Sequence, residues 1–129
     1  GMAGTPLVGR RLWLLDDDPV VREALANRLA AWGAQVLALD SLGALLHQLD
    51  SPTAPPDLLL TDLRLPDGDG LQAVAHLRAR HGPVPVLVVT GDTGPAELAA
   101  LAGQGDAVLH KPVRPGDLLQ QLLLGLSRH

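Results

Sequence analysis

The stretch from Arg11 to Pro19 reads RLWLLDDDP, and it provides the clearest local signal of the fold. A short apolar run that stops at three aspartates is typical of a strand that is buried on both faces and ends at a polar edge. Asp18 followed by Pro19 has the form of a helix N-cap with proline at the first helical position. The stretch therefore predicts a strand that leads directly into a helix, which we expect to end near Gly33.

The same alternation continues along the chain. Further strands are predicted at residues 35–39 (QVLAL), 58–61 (LLLT), 84–90 (VPVLVVT) and 107–110 (AVLH). Further helices are predicted at 42–49, 71–81, 95–102 and 115–126, the first of these capped by Asp40 or Ser41. The run 63–70 (LRLPDGDG) predicts a turn-rich loop, and we assign its Asp67 and Asp69 to turn formation because they match only part of a calcium loop. Five strands alternating with five helices predict an α/β fold with a doubly wound, mostly parallel sheet and right-handed crossovers.

Length and composition favour one globular unit. A chain of 129 residues can bury one sizeable core, so we expect a single domain over residues 1–129. Its packed core is expected at about residues 10–126, with residues 1–9 as an N-terminal tail in which Gly1 remains from a cleaved tag. The content of 47% hydrophobic and 19% charged residues is typical of a folded rather than a disordered chain.

Charge and composition also exclude several classes of function. The formal net charge of −4 argues against direct binding of nucleic acid through phosphate contacts. No apolar run approaches the roughly 18 to 20 residues that cross a bilayer, so membrane insertion is not expected. The chain has no cysteine, which excludes disulfides and cysteine-type zinc sites and favours a cytoplasmic location.

Polar side chains follow the predicted strands at one edge of the sheet. The first strand ends in Asp16 and Asp17, the third in Asp62, the fourth in Thr90, and Lys111, the single lysine, follows the fifth. Carboxyl ends of parallel strands meet at one edge, where open sheets bind their ligands. Three carboxylates placed together repel one another, and a hard divalent cation such as Mg²⁺ resolves such a cluster. With the lysine the group carries a formal charge of −2, and an aspartate in this setting can act as a nucleophile in phosphoryl transfer.

Four motifs together resemble the receiver domain of two-component response regulators. They are LLDDDP at 14–19, LLLTDLRLPDGDG at 58–70, VLVVT at 86–90 and KP at 111–112. Their order and spacing extend the resemblance over roughly residues 11–126. The resemblance implies a flavodoxin-like, five-stranded parallel sheet of order 2-1-3-4-5.

The resemblance also implies roles for the acidic residues. Asp62 would accept a phosphoryl group from a kinase histidine. Asp16 and Asp17 would hold Mg²⁺ together with Asp62 and the backbone carbonyl of Arg64. The implied partner is a histidine kinase or a histidine phosphotransfer protein, and the run VLHKPV at 108–113 is similar to that of receivers attached to hybrid sensor kinases.

The readout of the implied site departs from the family. Thr90 and Lys111 would contact the phosphoryl oxygens, and in the family the threonine works with an aromatic residue three positions before the lysine. That position is Val108 here, and the chain contains no Phe or Tyr. The predicted helix at 95–102 is also short and glycine-rich at its end. The phosphorylation site is therefore expected to be complete, with signal output by protein contact that does not use a turning ring.

Two other functions stay open on the residues alone. A receiver-like module could dock partners without chemistry, although Asp62, Thr90 and Lys111 argue against it. A Mg²⁺-dependent phosphatase could use an Asp nucleophile, but that class has a second Asp two residues later, where this chain has Arg64. On the leading interpretation the protein is a phosphoacceptor with self-phosphorylation and self-dephosphorylation chemistry rather than an enzyme with turnover.

Overall fold

The computed structural model describes residues 4–91, Ala96, Ala99 and residues 106–127. The strands in these ranges are β1 (Arg11–Leu15), β2 (Gln35–Leu39), β3 (Leu58–Asp62), β4 (Arg64–Leu65), β5 (Gly68–Asp69), β6 (Val86–Thr90) and β7 (Ala107–His110). The helices are α1 (Pro19–Ala31), α2 (Leu42–Asp50), α3 (Gly70–His81) and α4 (Pro115–Ser127). The helix predicted at 95–102 lies outside the described residues apart from Ala96 and Ala99. Among the helices described, none is both long and apolar enough to cross a membrane.

Five strands form one parallel sheet in the order β2-β1-β3-β6-β7, while the two-residue strands β4 and β5 pair only with each other. When this short pair is set aside, the order is the predicted 2-1-3-4-5, and the predicted doubly wound α/β fold is confirmed. The register pairs Leu15 with Thr61, Asp62 with Val89, and Thr90 with His110. The carboxyl ends of β1, β3, β6 and β7 therefore lie at one edge of the sheet.

Apolar side chains are buried on both faces of the sheet, as parallel sheets require. In β1, Leu12 and Leu14 pack on the face that α1 and α4 cover, and Trp13 and Leu15 pack on the face that α2 and α3 cover. All five residues of β3 are buried. Burial of each large apolar side chain stabilises the fold by about 1.5–3 kcal/mol, so the central strands are held from both sides.

The helix starts follow from local sequence. The Asp18 carboxylate accepts hydrogen bonds from the backbone N–H groups of Val20 (2.9 Å) and Val21 (3.3 Å), which makes it the predicted N-cap of α1. Ser41, one of the two residues predicted to cap α2, accepts a hydrogen bond from Ala44 N–H at 3.0 Å. These caps satisfy backbone donors that a helix leaves without internal partners in its first turn.

Two predicted segments differ from the structure in detail. Residues 63–70, expected as a loop, contain the hairpin β4–β5, and Asp69 forms a capping box with Gln72 at the start of α3. The fourth predicted strand begins at Val86 rather than residue 84, and the N–H of Leu59 donates to the carbonyl of Pro85, which precedes it.

The N-terminal segment corrects part of the predicted tail at residues 1–9. Leu7 is fully buried and belongs to the core cluster on the side of α1 and α4. Its N–H donates a hydrogen bond to the carbonyl of Trp32 at 2.9 Å, which fixes the segment against the end of α1. The packed core therefore starts at Leu7 rather than at about residue 10. A single leucine between turn residues carries no periodicity, so the sequence offered no signal for this contact.

Candidate functional site

Buried polar side chains concentrate at the carboxyl edge of the sheet. Asp16, which follows β1, is 1% exposed, and Asp62 and Thr90, the last residues of β3 and β6, are 9% and 1% exposed. With Thr61 these are all the buried polar residues in the part of the chain that the structure describes. Asp17 is exposed beside Asp16. Burying polar groups costs free energy unless they are hydrogen-bonded or paired, so these side chains need partners at this edge.

Lys111 joins the two buried carboxylates. Its Nζ lies 3.1 Å from Asp16 Oδ2 and 2.9 Å from Asp62 Oδ2. The backbone N–H of Lys111 also donates to the carbonyl of Thr90 at 3.0 Å, which places the lysine directly beyond the ends of β6 and β7. The single lysine of the chain therefore bridges residues that lie far apart in sequence.

Burial and hydrogen bonding set the protonation of these groups. Burial raises the pKa of Asp16, although hydrogen bonds from the N–H of Asp18 and from Lys111 act in the opposite direction. Burial also disfavours the charged form of Lys111, but its hydrogen bonds to Asp62 and Asp16 outweigh burial and raise the pKa of the ammonium group. The lysine is therefore protonated at neutral pH, and positive charge near Asp16 favours the charged form of its carboxyl group.

The three acidic residues can be ligands of one cation. Carboxylate oxygens of Asp16, Asp17 and Asp62 all lie within 4.8 Å of one another. Arg64 is exposed in β4, and its backbone N–H donates to Asp62 Oδ1 at 3.3 Å. Oxygen donors at this spacing fit Mg²⁺, which prefers carboxylates and carbonyls and retains several water ligands.

All the residues predicted for the site reach the same edge. An open pocket there is lined by Asp62, Arg64, Thr90, Gly91 and Lys111. Asp16 and Asp17 join it through the carboxylate cluster described above. The arrangement can therefore hold a divalent cation next to the Asp62 carboxylate, with the ammonium group of Lys111 close by.

Two neighbours that hold the site had not been predicted from the sequence. Arg22, on α1, donates from Nη1 to the backbone carbonyl of Asp16 at 2.9 Å and so holds the turn after β1. Gly70 lies so close to Asp62 that a Cβ atom at this position would be 2.5 Å from the Asp62 carbonyl oxygen. Arg22 carried no sequence signal, because its contact depends on how α1 packs against the turn. Gly70 belonged to the quoted motif, although its close approach became visible only in the fold.

Comparison with known proteins agrees with this geometry. The family model of the response regulator receiver domain matches residues 12–123. The KDP operon transcriptional regulatory protein KdpE of Escherichia coli (strain K12) is 34% identical over 117 residues, which are 90% of this chain and 51% of that protein. The Regulator of RpoS of the same strain is 34% identical over 120 residues, 92% of this chain and 35% of that protein. The chain thus spans about half of the first relative and about a third of the second.

Solved structures show the same fold. A CheY-like receiver domain protein from Methanospirillum hungatei JF-1 superposes with a TM-score of 0.83 at 24% identity, covering 92% of this chain and 94% of that one. The non-phosphorylated HemR receiver domain from Leptospira biflexa superposes with a TM-score of 0.79 at 28% identity, with the same two coverages. Since the family model spans nearly the whole chain and relatives at 34% identity cover at least 90% of it, this chain belongs to the response regulator receiver domains of two-component systems.

Proposed function

We propose that the protein is a phosphoacceptor in a two-component phosphorelay, with Asp62 as the residue that is phosphorylated. The donor is a phosphorylated histidine of a histidine kinase or a histidine phosphotransfer protein. The observation that supports this proposal most strongly is the ammonium group of Lys111, which lies 2.9 Å from Asp62 Oδ2 and 3.1 Å from Asp16 Oδ2. A positive charge held at this point is placed to contact a phosphoryl group that arrives on Asp62.

In the proposed reaction a carboxylate oxygen of Asp62 attacks phosphorus. The new P–O bond forms as the P–N bond to the donor imidazole breaks, and the bonding electron pair returns to the imidazole. Phosphoryl transfer of this kind depends mainly on positioning and on stabilisation of charge. Arg64 N–H and Lys111 orient the two oxygens of Asp62, and Thr90 lines the pocket where the phosphoryl oxygens would lie.

Mg²⁺ is the cofactor that we propose for this step. Asp16, Asp17, Asp62 and the backbone carbonyl of Arg64 would hold the ion, which supplies positive charge that the acidic cluster lacks. The spacing of the three carboxylates supports this assignment, as does the raised pKa of Asp16 that results from its burial.

An apolar groove beside the site supports a protein as the phosphoryl donor. The groove is lined by Val20, Val21, Ala24, Leu25, Lys111, Pro112 and Val113. Val20 is 76% exposed, which is high for a large apolar side chain and is typical of surfaces that contact other proteins. The net charge of −4 disfavours nucleic acid at this acidic edge. We place the exchange in the cytoplasm, in keeping with a chain that has no cysteine.

The test uses a small phosphodonor such as acetyl phosphate and intact-protein mass spectrometry. Wild type is expected to gain one phosphoryl group when Mg²⁺ is present and to gain none when a chelator removes it. Asp62→Asn should stay unlabelled, whereas Asp57→Asn, a matched change at the opposite end of β3, should be labelled like wild type.

Labelling of Asp62→Asn, or labelling that the chelator does not reduce, would contradict the assignment. A wild type that binds a kinase but takes no label would instead favour the docking module. Release of many phosphates per protein molecule from a phosphomonoester, which is not a donor for the proposed acceptor, would favour the phosphatase.

A further inference from the structure

The hairpin β4–β5 directly follows Asp62 and controls its surroundings. The N–H of Arg64 at the start of the hairpin donates to Asp62 Oδ1 at 3.3 Å. At its other end, the N–H of Gly70 donates to the carbonyl of Leu63 at 2.7 Å. The position of the hairpin therefore determines where Asp62 and the carbonyl of Arg64 lie relative to each other.

The turn of this hairpin is fastened to a different part of the chain. Asp67 Oδ1 accepts a hydrogen bond from Leu42 N–H at 2.9 Å, and Asp67 Oδ2 accepts one from Gly43 N–H at 2.8 Å. Both N–H groups belong to the first turn of α2, which has no internal partners for them. Charge-assisted hydrogen bonds of this kind are among the stronger ones in proteins.

Side chains of α2 and α3 pack closely against the turn of the hairpin. A Cβ atom at Gly68 would lie 2.7 Å from Leu42 Cδ2 and 2.5 Å from Gln72 Oε1. A larger residue there would displace the ends of the Leu42 and Gln72 side chains. The backbone of the hairpin is thus in direct contact with α2, and Asp67 supplies the polar link across that contact.

We infer that Asp67 is a positioning residue for phosphorylation, because it anchors to α2 the hairpin that orients Asp62 and Arg64. This inference rests on the proposed function. Helix α2 packs on the sheet through the buried side chains of Leu42, Leu45 and Leu49, which makes it a rigid support. Loss of the anchor would leave the hairpin attached through Asp62, the buried side chain of Leu65 and the start of α3, with no polar link to α2. Small displacements of reacting groups are costly in phosphoryl transfer.

A purely structural role makes a different prediction, and Ser41 provides the matched control. Ser41 caps the same helix end through Ala44 N–H at 3.0 Å but is not part of the hairpin. Asp67→Ala and Ser41→Ala each remove capping hydrogen bonds from the first turn of α2. Only Asp67→Ala also removes the hydrogen bonds that join the hairpin to α2.

The experiment measures the rate of labelling by acetyl phosphate as a function of Mg²⁺ concentration, together with thermal unfolding. Asp67→Ala is expected to lower the maximal rate roughly tenfold and to raise the Mg²⁺ concentration that gives half of this rate. Asp67→Asn, which retains one acceptor oxygen, should fall between Asp67→Ala and wild type. Ser41→Ala should lower the unfolding midpoint and leave both kinetic quantities at their wild-type values.

A wild-type rate in Asp67→Ala, or an equal slowing in Ser41→Ala, would overturn the inference. If wild type itself takes no label, the proposed function fails, and amide NMR then decides the role of Asp67 separately. Displaced resonances of Asp62 and Arg64 in Asp67→Ala but not in Ser41→Ala would support the anchor. Unchanged resonances in both variants would refute it.

Discussion

The two edges of the sheet differ in how their charged side chains are paired. At the amino edge, Arg78 pairs with Asp106 through two contacts, at 2.8 Å and 3.3 Å, and also donates to the carbonyl of Val84. At the carboxyl edge, Lys111 faces two buried carboxylates, and Asp17 adds a third acidic group. The Arg78–Asp106 pair is balanced in charge, whereas the cluster at the carboxyl edge is left with excess negative charge.

This difference separates stability from chemistry. A bidentate pair with matched charge links α3 to the segment before β7 and leaves nothing for a ligand to neutralise. Burial at the acidic edge raises the pKa of Asp16, and positive charge added beside Lys111 would favour the charged form of this carboxyl group. Residues at functional sites often lower the stability of a fold in this way. Changes at the two edges should therefore affect different measurements.

Substitution of the basic residue at each edge, Lys111 and Arg78, gives the largest expected effect. Lys111→Arg should abolish the phosphorylation-dependent response while folding is kept, because a larger planar guanidinium with a fixed fork of donors replaces the compact ammonium that bridges Asp16 and Asp62. Arg78→Lys should keep the response and lower the free energy of unfolding by about 1 kcal/mol, since one bidentate pair is reduced to a point charge. Labelling, hydrogen exchange and urea unfolding of both variants make the test.

A wild-type response in Lys111→Arg would show that the lysine is an ordinary surface charge. A lost response in Arg78→Lys would show that the two edges are not independent.

Truncation of Leu7 should give the next largest effect, on stability alone. Leu7 is fully buried under the amino edge, and Leu7→Ala should lower the free energy of unfolding by about 2–5 kcal/mol through lost burial and the cavity that remains. Val8→Ala is the matched control, because Val8 is 68% exposed and its truncation should change stability by no more than about 0.5 kcal/mol. Urea unfolding measures both. A changed labelling rate in the native fraction of Leu7→Ala would contradict the separation of the edges.

Sequence patterns predicted the sheet and the acidic edge because both depend on local signals. Buried strands are short apolar runs, and parallel strands end at one edge whatever the details of packing. Knowing that Asp16, Asp62 and Thr90 end their strands was therefore enough to bring them together. The order 2-1-3-4-5 was implied by the resemblance to receiver domains rather than by this alternation, and the observed sheet confirms it.

Contacts that depend on packing between distant segments could not be predicted in this way. Asp67 fitted a turn, and its two hydrogen bonds cross to α2, more than 20 residues earlier in the chain. Arg22 reaches the carbonyl of Asp16, six residues earlier, from the first turn of α1, a contact that depends on the conformation of the turn after β1. Leu7 lay in a segment assigned to a tail. The sequence around each of these side chains does not predict its contact. Each one acquires its partner only in the folded chain.

The surface formed by β7 and α4 shows how far a change at the acidic edge extends through the fold. Val108 in β7 is half-buried, pairs with Val88 and packs against the core cluster on the side of α2 and α3. A valine has no ring to turn inward, so one bistable element of the family is missing. We expect a phosphoryl mimic with Mg²⁺ to change hydrogen exchange in the segments after Asp62 and Thr90, with little change in α4. Sedimentation is expected to show no new dimer.

Large changes in hydrogen exchange over residues 107–126 on binding the mimic, or a dimer through that face, would contradict this prediction. The protein would then be a receiver that switches through this surface. Limited changes would instead suit a phosphoryl relay or sink. Because the mimic takes the place of the phosphoryl group, this experiment does not require covalent labelling of Asp62.

The smallest expected effect separates two acids at the same edge by their pH dependence. The N–H groups of Gly43 and Leu42 lower the pKa of Asp67 below its ordinary value of 3.8, whereas burial raises that of Asp16. A group with a lowered pKa in the folded state stabilises the fold above the ordinary pKa, and this contribution is lost as the pH falls toward the folded value. The difference in unfolding midpoint between wild type and Asp67→Asn should therefore be constant near neutral pH and shrink below about pH 4. Other acids titrate in both proteins, so their contributions cancel in this difference. A difference that stays constant or grows on acidification would mean that the Asp67 carboxylate does not hold the end of α2 through its charge.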